Sequence, residues 1–71
     1  MNIIDTDRIK GQIKRKIKSG DYITLGRMIN CNKETARSRY RRSNTEAVLA
    51  MQKIIKSREF LISEFKKQHY N

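Results

Sequence analysis

The sequence has no tryptophan, no proline, one cysteine and one histidine. A lone thiol excludes an intrachain disulfide, and one Cys with one His excludes a Cys/His metal cluster within the chain. The expectation is therefore no metal. No apolar run approaches the roughly 18 residues of a membrane span. No apolar stretch follows Met1 as a secretory signal requires, so a reducing cytoplasm is the expected location. There is no Gly-rich phosphate loop, no Ser/His/Asp set and no defensible carboxylate pair. A chain this short also has little room for a pocket, so neither an enzyme nor a cofactor is expected. At 71 residues it is a single small domain. Such a domain buries only about 60% of its unfolded surface and calls for a staple, here an oligomer or very regular helix packing.

What the chain does have is positive charge. Seventeen Lys and Arg stand against seven Asp and Glu, a net +10. Residues 8–42 hold twelve of the basic side chains and only two acidic ones. Solubility needs far less, so the segment points to a polyanion, either nucleic acid or an anionic membrane surface. Ile9, Ile13 and Ile17 make only a narrow apolar stripe without Trp or Phe, which argues against the membrane.

Periodicity predicts four helices and no strands. Asp5-Thr6-Asp7 offers caps for a helix over residues 6–19, stopped by Gly20. Thr24 is expected to cap a short second helix at 25–30, and Asn32 a third at 33–42. Ser43-Asn44-Thr45-Glu46 reads as a capping box opening a fourth helix that meets no breaker before about residue 68.

Residues 24–42, TLGRMINCNKETARSRYRR, resemble the helix-turn-helix of DNA-binding regulators. Gly26 is the small residue where the second helix crosses the first, between anchors Leu25 and Ile29. Asn30 stands where positive φ is needed. Cys31 is the small buried residue after it, Asn32 the cap, and Ala36 the inward small residue. Arg39 departs from the aliphatic residue usual in the family. Either Tyr40 takes over that packing, or the helix is rotated by about one residue. The resemblance implies a helix-turn-helix core (residues 1–43, recognition helix 33–42). A second departure is that no sequence for a β-wing follows it, since the chain goes straight into the long C-terminal helix (44–71). The expected fold is therefore all-α, a three-helix core and that helix.

The resemblance further implies a phage or mobile-element type of transcription regulator in a bacterial or phage-infected cell, with its third helix in the major groove of double-stranded DNA. Lys33, Glu34, Arg37 and Ser38 are the expected base contacts, Arg37 foremost because its fork matches guanine O6 and N7. Thr24, Arg27, Arg41 and Arg42 are the expected phosphate contacts, Thr24 together with free N–H groups at the start of helix 2. Lys14, Arg15 and Lys18 widen the basic surface, with no indication of which of them face DNA.

The last helix carries Phe60, Leu61, Ile62 and Phe65, whose full burial is worth about 6–12 kcal/mol before entropy. Either the helix bends near Ser57 onto helix 1, or this half meets its copy. A homodimer is the favoured expectation, since two-fold proteins read paired half-sites. Other readings are an architectural, recombination or packaging DNA protein, and a small inhibitor or adaptor that binds a host protein through this helix. Cys31 and the Tyr22 and Tyr40 rings are expected to be packing residues, and His69 a solvated tail residue.

Overall fold

Asp5 opens the first helix, its carboxylate accepting from the Arg8 N–H at 3.0 Å. In the computed structural model, which describes residues 4–69, α1 spans Thr6–Ile13 and is followed by a 3-10 turn over Lys14–Lys16. Next come α2 (Asp21–Met28), α3 (Lys33–Arg41) and α4 (Thr45–His69). No strand occurs among the described residues, and no helix there is long and apolar enough to cross a membrane.

Two boundaries differ from expectation for one reason. Asp21 accepts the Lys18 N–H on its carboxylate at 2.8 Å, and its own N–H bonds to the Lys18 carbonyl at 2.9 Å. That tight turn starts α2 at Asp21, so α1 ends well before residue 19. Ile17 is already extended, with φ −72° and ψ 132°. Thr24 is then interior to α2, its N–H bonded to the Gly20 carbonyl, and it caps nothing.

A third difference lies at the head of α4. Asn44 is the cap, its side-chain oxygen accepting the Ala47 N–H at 3.0 Å. Ser43 instead takes the left-handed conformation (φ 61°) that closes α3. The Asn44 N–H reaches back to the Arg39 carbonyl and the Ser43 N–H to that of Tyr40, the paired bonds of a Schellman stop. With the cap moved by one residue, Glu46 is not at the capping-box position. It still places negative charge in the first turn of α4, where the helix dipole favours it.

The core is built around α4, which packs on α1, α2 and α3, while α2 packs on α3. Its inward residues Ala47, Val48, Met51 and Ile55 are buried together with Ile13, Leu25, Ile29, Ala36 and Tyr40. Ile9, Ile17 and Cys31 pack partly buried at the edge. At 1.5 Å per residue, α4 is about 37 Å long, close to the 41 Å longest dimension of the molecule. It runs on past Ser57 as an unbroken helix, and Phe60, Leu61, Ile62 and Phe65 are all exposed.

Candidate nucleic-acid interface

The turn between α2 and α3 is set by local chemistry. Asn30 takes positive φ (58°), and the Cys31 N–H bonds back to the Gly26 carbonyl at 2.9 Å. Gly26 stands where the backbone of the turn comes close. A Cβ there would lie 2.6 Å from the Cys31 carbonyl oxygen and 3.3 Å from Asn32 backbone atoms, so it makes room for the turn itself. Asn32 caps α3, its oxygen accepting the Thr35 N–H at 2.7 Å. Cys31 is half-buried rather than fully inside.

On α3, Ala36 and Tyr40 face the core while Arg39 is exposed. Tyr40 thus supplies packing from α3 that Arg39 does not, as either a substitution of one residue for the other or a rotation by about one residue would have it. Lys33, Glu34, Arg37, Arg41 and Arg42 are exposed, whereas Ser38 is half-buried. Lys33, Arg37 and Arg41 follow one another at four-residue spacing, so they form a single ridge along α3.

That ridge borders a cleft of about 620 Å³ between α3 and the segment joining α1 to α2. Lys10, Lys14, Lys18, Arg37 and Arg41 line it, and no carboxylate does. Tyr22 and Tyr40 form part of its wall, their rings edge to face at 6.2 Å. The Arg37 guanidinium lies 5.8 Å from the centre of the Tyr22 ring, and the Lys10 ammonium 5.2 Å from that of Tyr40. Burial, and then the neighbouring Tyr22, push the Tyr40 phenol above its ordinary pKa, so Tyr40 stays uncharged at neutral pH.

The five cations are not equivalent. Lys10 is committed to structure, donating to the Arg41 carbonyl (3.2 Å) and to Ser43 Oγ (3.1 Å), which ties α1 to the end of α3. Lys14, Lys18, Arg37 and Arg41 have no ion-pair partner among the described residues. An anion entering the cleft thus meets four uncompensated charges. Of the helix 1 cations left undecided by the sequence, Lys14 and Lys18 line this cleft and Arg15 does not. Helical spacing gives no signal for Lys18, because α1 has ended at Ile13 and Ile17 is extended before it.

The remaining expected contacts lie apart from the cleft. Thr24 borders a groove beside α4 with Met28 and Ile54, and its position inside α2 removes the anion site expected at its N–H groups. Arg27 is exposed one turn beyond Ile23, outside the cleft. Phe60, Leu61, Ile62 and Phe65 take no part in the cleft either. His69 stacks on Phe65 with ring centres 4.1 Å apart.

Sequence reading missed Arg58. It donates from Nη1 to Asp21 Oδ1 and from Nη2 to the Lys16 carbonyl, both at 2.6 Å, and so fixes the segment that carries Lys14 and Lys18. Nothing in the local pattern pairs positions so distant in the chain.

No protein-family model, curated protein or solved structure matches the chain.

Proposed function

We propose that the chain binds double-stranded DNA as a helix-turn-helix protein without a wing, with α3 as the recognition helix. The observation that carries this reading is the junction of two features on one surface. A short helix, a tight turn and a capped second helix stand beside a carboxylate-free cleft bearing four unpaired cations.

In this reading Lys33, Glu34 and Arg37, near the start of α3, meet base edges in the major groove, with Ser38 a lesser contact because it is half covered. Arg37 leaves the Tyr22 ring to reach a guanine, giving up a contact worth about 0.5–1 kcal/mol for a bidentate one worth about 1–3. Arg41, Arg42, Lys14 and Lys18 hold phosphates on either side of the groove, and Arg27 is a further candidate on the outside of α2. The role that fits is transcriptional regulation in the cytoplasm. An architectural or packaging role would use the same surface with less sequence preference.

Selection from a random duplex pool at two salt concentrations tests the proposal. A single enriched motif whose affinity falls steeply with salt supports a sequence-reading regulator. Steep salt dependence without a motif points to the architectural role. No duplex binding even at low salt overturns the proposal.

A further inference from the structure

Phe60 and Leu61, at 64% and 68% exposure, are the most exposed large apolar side chains among the described residues. They rise from the half of α4 that projects beyond the core. Two shallow grooves run along this part of the helix, one lined by Leu49 and Phe60 and the other by Met28 and Ile54. Lys53, Ser57 and Leu61 line both, so they form the ridge between the grooves.

Charge says what covers this ridge. Lys53 and Glu64 are eleven residues apart, three helical turns with only about 20° of drift, so they share one face with Ser57, Phe60 and Leu61 between them. Neither has an ion-pair partner among the described residues, although Glu64 sits in a protein with seventeen cations. Glu59, by contrast, is paired with Lys16 at 2.9 Å. From Lys53 to Glu64 the centre of the face therefore reads plus, small, large, minus, with Lys56 and Lys67 along one edge. Such a face is complementary to itself when reversed and repulsive when parallel.

We infer that α4 pairs antiparallel with α4 of a second copy about a two-fold axis between Arg58 and Glu59, each Lys53 facing the partner's Glu64. The same axis sets each Ser57 opposite the partner's Phe60, and the small side chain leaves the space that the ring fills. Leu61, on the same flank of the face in both copies, packs beside the partner's Leu61 across the axis. Ile62 and Phe65 lie a quarter-turn or more from the centre of this face, so of the four apolar residues expected at the interface Phe60 and Leu61 are the ones this pairing uses. The pairing does not depend on DNA binding and is measured on protein alone.

Sedimentation equilibrium of the full chain, with far-ultraviolet circular dichroism to monitor helix content, tests the pairing. The expected result is twice the chain mass for the wild type and a monomer of unchanged helix content for Leu61→Asp, with Phe60→Ser as the second variant should Leu61→Asp unfold. Lys53→Glu and Glu64→Lys are each expected to weaken the dimer about tenfold, since each reversal sets like charges together at both symmetric contacts. The double variant K53E/E64K is expected to restore it. A wild-type monomer at the highest soluble concentration overturns the pairing. So does a double variant no tighter than the single ones, which would remove the antiparallel register.

Discussion

Arg58 reaches thirty-seven residues back along the chain to clasp Asp21, Nη1 to Oδ1 at 2.6 Å, with the Asp21 side chain only 9% exposed. The same guanidinium caps the Lys16 carbonyl, so one side chain on α4 closes the segment between α1 and α2. Arg58→Ala is expected to cost about 2 kcal/mol, because it leaves a largely buried carboxylate and a carbonyl without their charged donor. Glu59→Ala, which breaks only the exposed pair with Lys16, should change stability by less than about 0.5 kcal/mol. Urea midpoints of the two variants side by side check the contrast. Equal losses would mean that the clasp adds nothing beyond an ordinary surface pair.

The clasp also gives the fold an acid limb. Burial raises the Asp21 pKa, but hydrogen bonds from Arg58 and the Lys18 N–H, with the charges of both residues, outweigh it and hold the carboxyl below its ordinary 3.8. A depressed native pKa means stability that is present above the unfolded value and lost as pH falls through the native one. The wild type should therefore lose stability progressively below about pH 4, and Asp21→Asn should flatten that loss while being less stable at pH 7. Thermal midpoints between pH 2 and 7 measure it. An acid limb unchanged in Asp21→Asn would assign the loss to other carboxylates.

Glycine positions give a sharp pair of expectations. Gly26→Ala puts a methyl 2.6 Å from backbone oxygen, which has no flexible end to swing away. The turn must shift, and a loss of about 2–3 kcal/mol is expected, with weakened DNA binding because α3 is displaced. Gly11→Ala meets nothing within 4 Å and lies in α1. It should gain up to about 1 kcal/mol. Denaturation curves of both variants decide, and a neutral Gly26→Ala would show the turn to be softer than its geometry implies.

These residues also mark what a sequence discloses. Asn30, Asn32, Ala36 and Tyr40 were legible because each acts on its own neighbourhood: a left-handed turn, a cap three residues from its donor, an inward face repeating at helical spacing. The start of α2 was not legible, since Asp21 is held there partly by Arg58 from the far end of the chain. Ser43 misled for another reason. Its hydroxyl, at the right spacing before Glu46, accepts from Lys10 of α1 and donates to Asp7 at 3.4 Å, so it was drawn away from capping by residues distant in sequence. The basic cleft was half legible. Its α3 ridge came from the motif, but its opposite wall needed the turn at Lys18.

The cleft and the ridge should separate in a binding assay. Lys14→Ala and Lys18→Ala remove cations that the proposed reading sets against phosphates, so each is expected to weaken all duplexes alike and reduce the slope of log K against log salt by about 0.9. Arg37→Ala should lower discrimination at one base position by about 1–3 kcal/mol. Lys10→Ala should act mainly on stability, because its ammonium is already occupied by the Arg41 carbonyl and Ser43. Titrations at several salt concentrations, against the selected site and one-base variants, read all four. An Arg37→Ala profile that keeps full discrimination would move base reading to Lys33 and Glu34.

The antiparallel pairing of α4 and the DNA reading together fix a spacing. Thr45 begins α4 directly after α3, and the inferred axis lies between Arg58 and Glu59. At 1.5 Å per residue the two Thr45 positions stand about 40 Å apart. That is near the 34–36 Å that separates major-groove half-sites on one face of the duplex. The expected footprint is an inverted repeat with half-site centres roughly 10 bp apart. Leu61→Asp should shrink it to one half-site and make binding to a full site no tighter than to a half-site. The two ideas fail separately. A dimer that protects only one half-site leaves the pairing intact but removes simultaneous use of both α3 helices, whereas a monomer that protects a single half-site keeps the DNA reading and discards the pairing.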